Sequence, residues 1–248
     1  MPAVEWLGPV GSTNEVALQR AAAGAVGPQW FAASEQTGGR GRSGRNWVSP
    51  PGNLYASLLL TYPSALPTIA QLSLVAGLAA HQAVAALAPD LPLRLKWPND
   101  LLVDGAKLCG ILIEGRMNHV TGAHNVVVGI GINLAHHPDL GGRRATSLAA
   151  LGLTARPQDA LTHLSAAFEL WRGVWDEGAG MPAIRHAWMA RALELETPVT
   201  VNAGPEQIEG RYLGLDADGA MLLGLPQGGQ RRITFGDVHV GAPGGADR

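Results

Sequence analysis

Three arginines and four glycines share the stretch Glu35-Gln-Thr-Gly-Gly-Arg-Gly-Arg-Ser-Gly-Arg-Asn-Trp47, a loop set between two apolar runs. Gly38, Gly39, Gly41 and Gly44 let backbone N–H groups approach a ligand and permit positive φ, while Arg40, Arg42 and Arg45 present planar donor forks that match carboxylate or phosphate. Between Glu35 and Asp90 there is no Asp or Glu, so nothing close in sequence neutralises them. The loop reads as an anion trap, and by itself it suits RNA as well, since Gly/Arg segments also bind it. A second cationic source is marked by residue choice. Of the 18 basic residues only Lys96 and Lys107 are lysine, and they sit in one segment. A chain that otherwise uses arginine has kept a compact, mobile ammonium at two places, which singles both out as site candidates.

Other chemistries lack their residues. The eight histidines show no HExxH or Cys-pair spacing, so no metal-ligand cluster is expected. Neither Gly-x-Ser-x-Gly nor a Walker Gly-Lys-Ser/Thr occurs. Gly39 to Gly44 fits G-x-G-x-x-G, yet Trp47-Val-Ser-Pro-Pro follows where the dinucleotide fingerprint needs a helix. What remains is the arginine loop, the lysine segment, and polar Ser12, Thr13, Gln36, Asn99, Asp100 and Asn133 at strand or helix ends. Such a set suits bringing a carboxylate and a polyphosphate together, because positive charge offsets their repulsion and stabilises charge developing on the transferring phosphorus. That is adenylation chemistry, which needs no protein nucleophile.

The elements that must position these groups follow from pattern. Ser12 and Glu15 make a capping box before a helix that stops at Gly24. Trp30 to Ser34 and Leu54 to Thr61 read as neighbouring strands with the Gly/Arg loop at one end. Pro67 to Ala88 has helical spacing and is apolar enough to be buried. Leu93 to Trp97 is a strand halted by Pro98. Asn99 to Val103, Asp104-Gly105 and Lys107 to Glu114 form a hairpin. Val126 to Leu134 is a strand whose Gly129 and Gly131 allow close approach of a chain or ligand. Residues 135–147 read as an irregular surface loop, and Pro157 to Asp176 and Pro182 to Leu193 as amphipathic helices. After about residue 195 come short β runs at 199–201, 207–215, 220–225, 230–235 and 238–240, divided by Gly, Pro and Asp, as in a small β-barrel.

With 46% hydrophobic and 15% charged residues, this is the composition of a folded chain. Its net charge of −2 argues against nucleic acid as the main partner. One cysteine, Cys109, excludes an intramolecular disulfide and suits a reducing compartment. No stretch at the N-terminus has signal-peptide form, and the apolar run from Leu66 to Ala88 is broken by Gln71, Ser73, His81 and Gln82, so it reads as a core helix rather than a membrane span.

Five motifs, Ser12-Thr-Asn14, Gln36 to Trp47, Lys96-Trp-Pro-Asn-Asp100, Lys107-Leu-Cys-Gly-Ile-Leu-Ile-Glu114 and Gly129-Ile-Gly-Ile-Asn133, closely resemble those of the biotin protein ligases in order and approximate spacing. The resemblance spans essentially the whole chain. It implies an α+β fold, a mixed β-sheet flanked by helices of the class II synthetase-like, biotin–lipoate ligase type over residues 1–195, with a small SH3-like β-barrel over 196–248. It implies biotin as substrate, ATP and Mg2+ as co-substrate and counter-ion, no tightly bound prosthetic group, and transfer of biotin to a lysine of a biotin carboxyl carrier protein. By position, Ser12, Thr13, Asn14, Gln36, Gly39, Arg40, Gly41, Arg42, Lys107 and Gly110 would hold biotin. Arg42, Arg45, Trp47, Lys96, Asn99, Asp100, Lys107 and Asn133 would face the nucleotide, with Lys107 and Arg42 as the catalytic groups. For Trp47 and Trp97, core packing stands beside ligand contact as a reading.

The Ser12 motif begins almost at Met1, which implies a ligase without the N-terminal DNA-binding module of repressor-type relatives. Cytoplasmic localisation, no nucleic-acid or membrane partner, a possible homodimer through the sheet edge near the hairpin, and a lid role for residues 38–46 belong to the same expectation. A lipoate-type ligase or acyltransferase of the wider fold is the alternative. Related acyltransferases pair a lysine with a catalytic cysteine, whereas Cys109 reads as a small buried filler.

Overall fold

The computed structural model describes residues 1–119, 121–139 and 144–241. The strands β1 (Ala3–Val10), β2 (Gln29–Gln36), β3 (Leu54–Tyr62), β4 (Leu93–Lys96), β5 (Asp100–Val103), β6 (Ala106–Met117) and β7 (His124–Ile132) form one sheet in the order β1-β2-β3-β7-β6-β5-β4. Only β1 and β2 run parallel, joined through helix α1 (Thr13–Ala22); the remaining neighbours are antiparallel.

The sheet centre is covered on both faces, which explains its near-continuous apolar strands. Successive residues point to opposite sides, so Phe31, Leu59 and Val127 meet Ala17, Leu18 and Ala21 of α1. Their neighbours Trp30, Leu58, Leu60, Val126 and Val128 face the main core, which holds α2 (Leu72–Leu87) and α3 (Pro157–Trp175). Trp30 anchors that contact twice. Its ring lies edge-on to Phe168 at 6.1 Å, and its indole N–H donates to Ser165 Oγ at 3.0 Å. The stretch Ile69–Leu87 is long and apolar enough to cross a membrane, yet Leu72, Val75, Leu78 and Val84 are all spent in this core.

After α4 (Met181–Met189) the chain enters a five-stranded antiparallel sheet of β8 (Pro198–Ala203), β9 (Glu206–Leu215), β10 (Met221–Gly224), β11 (Gln230–Ile233) and β12 (Asp237–Val240), ordered β11-β10-β9-β8-β12. All five expected β runs are strands. The small module does not stand apart: Val199, Val201, Tyr212, Leu215 and Met221 belong to the same apolar cluster as α2 and α3, and Gly219 O accepts the indole N–H of Trp97 at 3.0 Å. Trp97 is therefore a buried strut between the two layers, and it also lines the cavity described below.

Two features depart from the sequence pattern. The first strand has no counterpart in the expectations, because β1 is a half-exposed edge whose Ala-Val-Glu-Trp-Leu-Gly-Pro-Val run carries weak alternation. An edge also tolerates Pro9, since no partner asks for its missing N–H. Ser12 does sit at the N-cap with extended φ and ψ, but its side chain caps nothing. Gln36, from the end of β2, does so instead, its Oε1 accepting the Thr13 N–H at 2.8 Å and the Thr13 hydroxyl at 3.0 Å. The sheet edge near the hairpin is partly taken as well. Leu95 of β4 exchanges backbone hydrogen bonds with Arg191 and Leu193, so among the described residues β1 is the open edge. The segment Gly141-Gly142-Arg143 of the expected surface loop lies outside the described residues.

Candidate active site

Above the middle of the sheet lies a cavity of about 560 Å³, within the roughly 300–1,000 Å³ usual for small-ligand sites. One end is the start of α1. Asn14 Nδ2 donates to Glu114 Oε2 at 2.8 Å, and Ser57 Oγ lies 2.6 Å from Asn14 Oδ1 and 2.7 Å from Thr13 Oγ1. Ser57 was not visible as a site residue, although a hydroxyl in the middle of an apolar strand is itself a signal: buried polar groups need partners. Gln36 completes the ring through its Nε2, which donates to Ser49 Oγ at 3.0 Å. Thus Ser12, Thr13, Asn14 and Gln36 meet on one wall, held by polar contacts that fix each amide.

The glycines of β7 make room for the protein's own side chains. A Cβ at Gly129 would collide with Asn14 Oδ1, and one at Gly131 would stand 2.7 Å from Trp47 Nε1. A Cβ at Gly110 would reach 2.9 Å from the same indole. Trp47 lies in that slot, with the Lys107 ammonium 5.2 Å from its ring centroid in a cation–π contact. Its Nε1 is buried and without a hydrogen-bond partner.

Beside it, the two lysines share one carboxylate. Asp100 receives Lys107 Nζ at 2.5 Å and Lys96 Nζ at 2.9 Å. Burial alone would push the Asp100 carboxyl up, but the two ammoniums hold it well below the usual carboxylate range. The hairpin turn at Asp104-Gly105 places the three groups together: β5 pairs with β4 on one side, which carries Lys96, and with β6 on the other, which carries Lys107.

The arginine loop closes back on itself, with Gly41 N–H bonded to Arg45 O and Trp47 N–H to Gly39 O. Its charges are answered from far away in sequence, not left open. Arg45 pairs with Asp237 of β12 at 2.6 Å, Arg42 lies 3.7 Å from the same carboxylate, and Arg40 pairs with Glu114 at 3.2 Å. Arg42 Nη1 also donates to Gly236 O at 3.1 Å and to Asn99 Oδ1 at 3.4 Å. Burial pulls the Arg42 guanidinium below its ordinary value. Six cationic side chains, Arg40, Arg42, Arg45, Lys96, Lys107 and Arg144, line the cavity against the two carboxylates of Asp100 and Asp237, so it remains strongly positive.

Most of the expected site residues line this one cavity, and two do not. Gly39 is buried under the loop, where a Cβ would strike the Trp47 carbonyl and Ser49 Oγ; it shapes the hairpin. Asn133 is 1% exposed and donates to Thr146 O at 3.0 Å, which makes it a brace behind Lys107 rather than a wall facing a nucleotide. Conversely, Arg144 and a set of residues from β8, β9 and β12 line the cavity without having been expected there. Cys109 is fully buried and its thiol is pushed up to about 12 by burial. It supplies no nucleophile at neutral pH.

Comparison with known proteins converges on the same chemistry. Residues 11–133 match the Biotin/lipoate A/B protein ligase family and residues 195–241 the Biotin protein ligase C terminal domain. A biotin–[acetyl-CoA-carboxylase] ligase of Paracoccus denitrificans is 40% identical over 88% of this chain and 93% of its own length. That of Mycobacterium tuberculosis is 33% identical over 92% and 85%. Among solved structures, a biotin protein ligase from Aquifex aeolicus in complex with biotin and ATP superposes with a TM-score of 0.79 at 29% identity, covering 97% of this chain and 99% of that one. A Leishmania major biotin protein ligase in complex with biotinyl-5-AMP gives 0.66 at 25% identity over 95% and 100%. The chain belongs to the biotin protein ligase family.

Proposed function

We propose that this enzyme activates biotin with ATP and transfers it to a lysine of a biotin carboxyl carrier domain. The observation that carries the reading is the convergence of Lys107, Arg42 and Arg40 with Ser12, Thr13 and Asn14 on one positive cavity. In the first step a biotin carboxylate oxygen attacks the α-phosphorus of ATP. The bond from phosphorus to the bridging oxygen breaks, and pyrophosphate leaves with the electron pair. In the second step the amine of the carrier lysine attacks the carbonyl of biotinyl-5′-AMP, losing a proton, and AMP leaves.

Hydroxyls and amides of Ser12, Thr13, Asn14 and Gln36 face the biotin head, and Lys107 and Arg42 bridge its carboxylate and the α-phosphate. Their positive charge is in place before reaction, where it counts most. Asp100 fixes both ammoniums; clamped between them it is a poor proton acceptor. The Gly/Arg hairpin acts as the lid that keeps water from the mixed anhydride. Mg2+ accompanies ATP. Asp100 and Asp237, the carboxylates that line the cavity, would be the groups available to hold the ion or its waters, where it would offset phosphate charge. The carrier domain of acetyl-CoA carboxylase is the proposed acceptor, and the cytoplasm, which suits the lone buried thiol, the proposed compartment.

Incubation with labelled biotin, ATP, Mg2+ and a carrier domain is expected to place the label on the carrier. No label, or equal transfer from lipoate or octanoyl donors, would refute the assignment. The buried, protonated Cys109 already disfavours an acyltransferase route through a thiolate. Gly129→Ala tests the biotin wall: the new methyl must evict the Asn14 amide. Losing one or two hydrogen bonds of this kind is expected to weaken biotin binding about tenfold, as read by calorimetric titration. An unchanged Kd would remove Asn14 from the biotin wall.

A further inference from the structure

The motif that begins at Lys107 ends on a carboxylate, Glu114, that does not itself line the cavity. In the sheet β6 sets Leu112 opposite Gly129 and Glu114 opposite Val127, and alternate residues of a strand share a face, so Glu114 stands on the α1 side of the sheet. There it meets two groups. Asn14 Nδ2 donates to its Oε2 at 2.8 Å, and Arg40 Nη2, from the hairpin, donates to the same oxygen at 3.2 Å.

A carboxamide has one end that donates and one that only accepts, whereas a carboxylate only accepts. Glu114 therefore decides which way round Asn14 sits. Nδ2 faces Glu114 and, 3.5 Å off, the Leu112 carbonyl, while Oδ1 faces Ser57. Ser57 is fully buried and has a single proton, which is committed to that oxygen at 2.6 Å. The consequence reaches the ligand: with Nδ2 spent on Glu114 and Leu112, Asn14 offers the cavity an acceptor and no donor. The opposite direction is also self-consistent. With Asn14 turned over, Nδ2 would donate to Ser57, Ser57 to Thr13 Oγ1 at 2.7 Å, and Thr13 to Gln36 Oε1 at 3.0 Å. The Leu112 contact is at the outer limit for a hydrogen bond, so the choice between the two directions falls to Glu114.

Resting on the ligase reading, we propose that Glu114 is a positioning residue for biotin recognition. By fixing the direction of the chain from Asn14 through Ser57 and Thr13 to Gln36, it makes this wall an acceptor for a ureido N–H. An analogue that carries an oxygen where biotin carries that N–H is refused, because two acceptors then meet and a buried polar group is left unpaired.

The test is calorimetric titration with biotin and with the two cyclic carbamates in which one or the other ureido N–H is replaced by oxygen. Wild type should prefer biotin to at least one of them by about tenfold or more. Glu114→Gln keeps the size of the side chain and can partner Asn14 either way round, so that preference should fall about tenfold, chiefly through weaker biotin binding. KM for biotin should rise with it, while kcat for pyrophosphate release at saturating biotin is little changed. Asn14→Asp combined with Glu114→Gln transposes the pair, so residue 14 again shows the cavity only acceptor oxygens and the preference should return. A preference that Glu114→Gln leaves unchanged would overturn the proposal, and so would equal weakening of all three ligands, the mark of a loosened Arg40 hairpin. So would a transposed pair no more selective than Glu114→Gln alone, or wild type that binds biotin without preferring it to either carbamate. If Glu114→Gln does not fold, Glu114→Met, which also leaves Asn14 free to turn, carries the same comparison. Wild-type protein that binds no biotin at all would bring down the ligase reading, and this proposal with it, before any variant is compared.

Discussion

Lys107→Ala is expected to lower biotin-dependent pyrophosphate release at least a hundredfold while the protein stays folded. The Lys107 ammonium is 2.5 Å from Asp100 and lies over the Trp47 ring, so it is held in place before any ligand arrives. Removing one preorganised positive group from the point where charge develops costs about 2.7–4 kcal/mol in the transition state. The fold is spared because Asp100 keeps Lys96 at 2.9 Å. Lys107→Arg is not expected to restore the rate, since the planar fork does not fit where a small ammonium is seated between an indole and a carboxylate. The check is labelled-pyrophosphate release together with a thermal melt. A variant that releases pyrophosphate normally would end the role assigned to Lys107.

Asp100→Ala inverts the balance: here stability is lost along with activity. The carboxylate is 8% exposed and answers two ammoniums whose side chains are themselves mostly covered. Stripping a shared partner from a buried ion cluster costs about 3–5 kcal/mol, hence roughly 6–20 °C in Tm for a chain of this size. The sign of the pH dependence follows from the depressed folded-state carboxyl. Its contribution is fully present above the unfolded carboxylate value of about 3.9 and is lost only as pH falls through the lower folded value. The difference in Tm between wild type and Asp100→Ala should therefore be flat between about pH 5 and 8 and shrink only in stronger acid. A gap that widens on acidification would contradict the ion cluster.

What was legible in the chain was what local chemistry writes there. The Asp104-Gly105 turn announces the hairpin, the apolar runs of β3 and β7 announce a sheet covered on both faces, and the preference for lysine at 96 and 107 marks the two ammoniums that share Asp100. Groups brought together by the fold alone were not legible. Asp237, the counter-charge of the arginine loop, lies 192 residues beyond Arg45, so the loop looked unneutralised. Gln36 caps α1 from 23 residues away, which displaced the local capping box. Asn133 shares a motif with the cavity-facing glycines, but it lies one residue past the end of β7, where the chain encloses it and its side chain donates to Thr146 O. The wall from β8, β9 and β12 left no trace because its residues are ordinary polar groups whose common face depends on strand register.

Cys109 carries a practical consequence of its burial. It is the one thiol in the chain, it is fully enclosed, and its thiol is pushed up to about 12, so it stays silent toward maleimides and iodoacetamide under native conditions. A cysteine placed at exposed Ser43, at the tip of the arginine hairpin, would then be the single labelling point. A fluorophore attached there would report opening and closure of the hairpin during turnover without any native residue having to be removed first.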